Sequence, residues 1–257
     1  DRARSSYKIG DYAKAKQLTK QLLKQYPGHS TPHTLLGSIY TQTGNPKLAV
    51  THFKKSIEIN PDSIEAYNNL AVIYRQQGNL QMAENILKRA LKKDPKRADI
   101  YYNLGNIYKQ QEKHKEAVSS YRRCIKLNEH FILAYNNLGT IYEREGNYEK
   151  AVSVYRSGLL VDENNPTLHY NLGIALEAQN KITEAEKEFR RALEQKPAWI
   201  SALNNLGIVL EKQQKYPKAI QNFKKIISLD KKNREARNNL ALVYTKQGKT
   251  QEAIAYY

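Results

Sequence analysis

The chain is short of several things that would narrow its role. It has one cysteine in 257 residues, so no disulfide can close within it. Prolines number 8, and no Ser/Gly-rich tract separates one part of the chain from another as a linker would. No apolar run approaches the roughly 20 residues that a membrane-spanning helix needs. The opening residues, DRARSSYKIG, are polar, so they do not read as a signal peptide. Asn165-Pro166-Thr167 comes near an N-glycosylation acceptor but is blocked by its proline. Acidic residues are scarce as well. There are 25 of them against 42 lysines and arginines, a net charge of +17, and the meaning of that excess depends on where it sits.

What the chain has in abundance is repetition. AYNNLG at residues 134–139 returns with small changes along the sequence. Leucines stand 34 residues apart at Leu36, Leu70, Leu104, Leu138, Leu172, Leu206 and Leu240. The next residue is always small: Gly37, Ala71, Gly105, Gly139, Gly173, Gly207, Ala241. Twelve residues later comes alanine, at Ala49, Ala83, Ala117, Ala151, Ala185, Ala219 and Ala253, and Ala15 extends that register towards the N-terminus. Four residues past the alanine is a large apolar side chain: Phe53, Leu87, Tyr121, Tyr155, Phe189, Phe223, Tyr257.

Within a period the spacing is helical. Tyr135, Leu138, Gly139 and Tyr142 lie at intervals that share one side of an α-helix. Gly146-Asn147 signals a turn, and a second amphipathic segment carries Ala151, Val152, Tyr155 and Leu159. Pro61, Pro95 and Pro197 lie where one period ends and the next begins. Each period is therefore expected to be two helices and two short turns. The small residue after the leucine suggests a close approach of helix backbones, since a larger side chain would overpack it. Cys124 occupies the small register of Ala90, Gly158 and Ala192, which points to packing and not to a nucleophile.

Leu-Gly, Tyr, Ala, an aromatic and Pro at this spacing resemble the tetratricopeptide repeat. The resemblance covers essentially the whole chain. It implies an all-α fold, a right-handed superhelical α-solenoid of stacked antiparallel helix pairs, and a single array over 1–257. The expected division is a partial repeat at 1–29, full repeats at 30–63, 64–97, 98–131, 132–165, 166–199 and 200–233, and a truncated repeat at 234–257. Glu129, Glu163 and Lys231 stand where the family usually has proline, and looser turns are expected there. Neither end carries a visible polar capping helix, which suggests a fragment of a longer protein or an end that stacks on another copy.

The other side of each first helix carries Leu133, Asn136, Asn137, Thr140, Glu143 and Arg144 in the period just described. In the family that side lines a concave groove. The residue before the leucine is Asn69, Asn103, Asn137, Asn171, Asn205 and Asn239, with Leu35 in the first full repeat. A carboxamide donates and accepts, so a ladder of them suits a polypeptide main chain. The repeats of O-GlcNAc transferase carry similar ladders. Tyr102, Tyr170 and Asn106 join these as candidate peptide-binding residues. The face carries Arg75 and Lys109 towards the N-terminus, and Glu143, Glu177 and Glu211 towards the C-terminus. The lysines of a carboxylate clamp for acidic tails are missing: that register holds Thr34, Asn68, Tyr102, Asn136, Tyr170, Asn204 and Asn238.

Much of the positive charge falls on the second helices, in pairs such as Lys54-Lys55, Lys88-Arg89, Arg122-Arg123, Arg190-Arg191 and Lys224-Lys225. A solvated face is the expected reading, since no exposed aromatics interleave as single-strand nucleic-acid binding would favour. No chemistry converges. Gly248-Lys249-Thr250 resembles the end of a phosphate-binding loop but lacks its first glycine, which falls at Val243, and its strand. His29 and His33 are separated by Pro32 with no third ligand in view. No catalytic residue, metal ligand or cofactor is expected.

The favoured function is a non-catalytic protein–protein interaction scaffold that holds a peptide or an extended partner segment through the asparagine ladder. The alternatives are a substrate-recruiting region of a larger enzyme such as a glycosyltransferase, or binding of nucleic acid or an anionic surface by the basic stripe. Self-association through the terminal helices is a further expectation. A cytoplasmic location is favoured, with a periplasmic or membrane-associated one open if a signal has been removed.

Overall fold

A computed structural model describes residues 2–256. Among these residues there are 16 helices and no strand. The chain falls into two compact units, residues 1–128 and 129–257. The first unit holds α1 (Arg2–Lys8), α2 (Tyr12–Gln25), α3 (Ser30–Gln42), α4 (Pro46–Ile59), α5 (Ile64–Gln76), α6 (Leu80–Lys93), α7 (Ala98–Gln110) and α8 (His114–Leu127). The second holds α9 (Ile132–Arg144), α10 (Tyr148–Val161), α11 (Pro166–Ala178), α12 (Ile182–Gln195), α13 (Ile200–Lys212), α14 (Tyr216–Leu229), α15 (Arg234–Lys246) and α16 (Thr250–Ile254). The first helices of successive pairs begin 34 residues apart, as the leucines do. Within each unit every helix packs on the helix before and after it, which stacks the pairs as layers.

In five of the pairs one aromatic ring is laid over one glycine. A Cβ added at Gly37 would come within 2.5 Å of the Phe53 ring, and one at Gly173 within 2.6 Å of the Phe189 ring. Gly105 with Tyr121, Gly139 with Tyr155 and Gly207 with Phe223 repeat the arrangement. This corrects the expectation of a backbone-to-backbone approach. The small residue makes room for an aromatic side chain of the same pair's second helix. The exception follows the same logic, since Ala71 accompanies Leu87, the one period with no aromatic there. Tyr257, the residue at this register in the last period, lies outside the described residues.

The turn inside each pair is left-handed. Gly10, Gly44, Gly78, Gly146 and Gly248 have φ between 71° and 83°. Glu112, Asn180 and Gln214 hold the same register at φ 57–60°, where a Cβ is strained. Glu112→Gly and Gln214→Gly are each expected to stabilise the chain by about 0.5–1 kcal/mol, the relieved strain less the freedom glycine gains on unfolding. A higher urea midpoint at unchanged slope would confirm this, and a lower midpoint would refute it.

Two connections expected to be loose are fastened instead. After α10, the Asn165 side chain donates to Asp162 and accepts from the backbone N–H groups of Thr167 and Leu168. The Glu163 carbonyl lies 2.8 Å from His169 Nε2. After α14, Asn233 bonds Asp230 and caps Ala236, and Arg237 donates to the Lys231 carbonyl at 2.9 Å. Side-chain bonds do there what proline does elsewhere.

One buried and one part-buried acid also bind pair to pair. Glu84 on α6 receives Lys88, Tyr108 and Gln111, and Glu186 on α12, at the same register, receives Arg190, Gln213 and Lys215. Burial alone would raise the Glu186 carboxyl, but hydrogen bonds from Lys215, Arg190 and Gln213 hold it at about 2.

Candidate ligand face along the first helices

The ladder asparagines lie half-buried on the first helices, on the side away from the Leu-Gly contact. Their amides are already partly engaged. Asn103 donates to Asn68 Oδ1 at 2.7 Å, Asn171 to Asn136 Oδ1 at 2.7 Å, and Asn239 to Asn204 Oδ1 at 2.9 Å. Asn205 donates to the Tyr170 hydroxyl at 3.3 Å, and Asn69 to Ser38 at 3.5 Å. Asn137 sits at the same place on α9. In four of these bonds the acceptor lies 35 residues earlier, one period plus one, so each amide ties its helix to the first helix of the preceding pair. Some acceptors pass the chain onward: Asn68 donates to Asp99, and Asn204 to Glu235 at 2.6 Å.

The aromatic candidates are also drawn into packing. The Tyr102 ring lies 5.9 Å from that of Tyr121. The Tyr170 ring lies 5.9 Å from Phe189 and 4.5 Å from Trp199, which spans the junction to the next pair. Asn106 Oδ1 accepts the Tyr121 hydroxyl at 2.7 Å.

The three glutamates of the second unit's face are not equivalent. Glu177 pairs with Lys212 at 2.7 Å, and Glu211 pairs with Lys246. Among the described residues Glu143 forms no ion pair and its Oε1 is buried without a hydrogen-bond partner, and burial pushes its carboxyl up to about 7. In the sequence they read as one acidic set. The distinction rests on residues 35 positions later, outside the repeat that holds each glutamate.

Elsewhere the expectations are met in part. His33 faces His52, with Nδ1 atoms 2.9 Å apart, instead of His29. At the same register in the second unit, His169 meets Glu188. Among the described residues no group of three or more possible metal ligands converges. Cys124 is buried, and burial pushes its thiol up to about 12, so it carries no reactive thiolate. The basic stripe is exposed and much of it is paired within the protein: Lys55 with Glu58, Lys88 with Glu84, Arg156 with Glu184, Arg190 with Glu186. No helix of the described residues is long and apolar enough to cross a membrane.

Known families and structures match the chain on this architecture. The model of the tetratricopeptide repeat protein 21 C-terminal ARM domain matches residues 42–177, more than half of the chain. The middle TPR-like domain of cilia and flagella-associated protein 70 matches 135–257, and the tetratricopeptide repeat itself matches 8–71. A curated relative, the Sol locus transcriptional repressor of Clostridium acetobutylicum, is 34% identical over 64 residues, 25% of this chain and 20% of the repressor. The chain thus spans only about a fifth of that relative's length. Among solved structures, MamA is 30% identical, covers 63% of this chain and 95% of its own, and superposes with a TM-score of 0.57. YrrB, a TPR protein with an unusual peptide-binding site, is 24% identical over 76% of this chain and 97% of its own, with a TM-score of 0.61. Together with the helix pairs and their 34-residue register, these matches establish that the chain belongs to the tetratricopeptide repeat family.

Proposed function

We propose that the chain is a non-catalytic scaffold that holds an extended polypeptide along the asparagine face of its first helices. The fold is that of protein-interaction scaffolds, and the matched family models describe repeats, not a catalytic domain. One observation carries the finer reading. Five of the ladder amides, Asn69, Asn103, Asn171, Asn205 and Asn239, each spend one N–H on a neighbour, while their Oδ1 atoms accept no hydrogen bond among the described residues and are not sealed from solvent. An acceptor and a spare donor thus recur on five of the first helices, which is what a peptide main chain needs whatever its side chains are. The inter-repeat bond also supports the reading, because it fixes the orientation of each amide before a ligand arrives. YrrB, which shares the fold, has a peptide-binding site.

The test is the triple variant Asn137→Ala, Asn171→Ala and Asn205→Ala, with binding measured on a peptide selected against the wild-type protein from a random library. Each lost hydrogen bond is worth about 0.5–1.5 kcal/mol, so affinity should fall by about tenfold or more. Unchanged affinity in a variant whose helical circular dichroism is intact would sink the ladder.

A further inference from the structure

Two of the three glutamates on the second unit's face already hold a lysine from the next pair, 35 residues on: Glu177 with Lys212, and Glu211 with Lys246. The same spacing from Glu143 arrives at Ala178, an exposed residue that can offer no charge. Beside Glu143 lies a second unmet group. The Tyr155 ring is fully buried over Gly139, and its hydroxyl ends near the Glu143 carboxyl, close enough for each to perturb the other's titration. Among the described residues neither that hydroxyl nor Glu143 Oε1 has a partner in hydrogen-bonding geometry. In the first unit the equivalent Tyr121 hydroxyl bonds Asn106. In the second, Thr140 takes that register and donates to the Asn137 carbonyl, so Tyr155 loses its acceptor.

A buried carboxylate oxygen and a buried phenol left unsatisfied side by side are costly, at about 1–3 kcal/mol each. The rest of the face shows what relieves the carboxylate, since a lysine ammonium does so twice.

We propose that Glu143 and Tyr155 form a subsite for a lysine side chain of the bound polypeptide, whose ammonium takes the place that Lys212 and Lys246 occupy beside Glu177 and Glu211. The proposal rests on the reading of this face as a peptide-binding one and adds a sequence requirement to it. Ile174 and Ala178, one turn apart on α11, offer an apolar track for the lysine stem. As the carboxylate shifts to meet the cation, it comes into line to accept from the Tyr155 hydroxyl, which has no partner among the described residues of the free protein. Burial, which keeps the Glu143 carboxyl at about 7 in the free protein, also keeps water from competing for the ion pair.

The probes are two fluorescein-labelled nonapeptides of alanine and serine, one with a central lysine and one with norleucine there, titrated by fluorescence anisotropy. The lysine peptide should bind about tenfold tighter or more to the wild-type protein. Ala178→Lys supplies the cation internally, so it should abolish that preference. Glu143→Gln should abolish the preference as well. Equal affinity of the two peptides for the wild type overturns the subsite while leaving the ladder standing, as does a preference that survives in both variants. If neither peptide binds, the ladder and the subsite fall together.

Discussion

Phe189→Ala lowers stability by about 3–5 kcal/mol, the upper range for removing a buried aromatic. The side chain has no exposed surface and lies directly over Gly173, so no neighbouring side chain can collapse into the gap from that direction. A repeat array spreads the damage. Each layer is held chiefly by its neighbours, so the loss weakens the α11–α12 pair and the seam to α13 alike. Urea unfolding followed by circular dichroism measures it, and a loss below about 1 kcal/mol would show that the ring is not what fills the pair. The same contact predicts a coupling. Gly173→Ala alone places a methyl against the ring and costs about 1–3 kcal/mol. Combined with Phe189→Leu, it should recover much of that loss, because Ala71 with Leu87 is the combination this chain already uses. Additive losses in the double variant would refute the pairing.

His169→Leu is the second large effect, expected at about 3 kcal/mol. The imidazole is nearly sealed from solvent, with Nδ1 2.5 Å from Glu188 and Nε2 2.8 Å from the Glu163 carbonyl. Deleting it strands a largely buried carboxylate, and removal of one partner of a buried pair is the costly case. Arg191 is too distant to compensate, at 4.0 Å from the other oxygen of Glu188. Glu188→Leu added to His169→Leu removes the stranded charge and should restore most of the stability. If the double variant is no better than the single, the cost lies in the freed Glu163 carbonyl and its turn instead.

The two effects differ in how visible they are in the amino-acid string. The Phe189–Gly173 contact recurs in most periods, so packing prints itself as a register, and the helices, turns and core could be read directly. What occurs once leaves no such print. His169 finds Glu188 because their register happens to be polar in that period, while the same two places hold His33 and His52 in the first unit. The face was legible as a row of asparagines but not as a bonded network. Four of the donors meet their acceptors one period plus one residue away, an offset set by the stacking of layers and invisible within any one repeat. Glu143 shows the limit most clearly, because its isolation is decided by Ala178.

The one-way amide bonds also set a rule of length. Four of the donors reach back by one period and one residue, so removing or adding a whole period gives each of those amides an equivalent neighbour. Any other insertion between two leucines strands a donor and an acceptor at once. The chain can therefore change its reach only in steps of 34 residues, as a ruler is cut only at its marks.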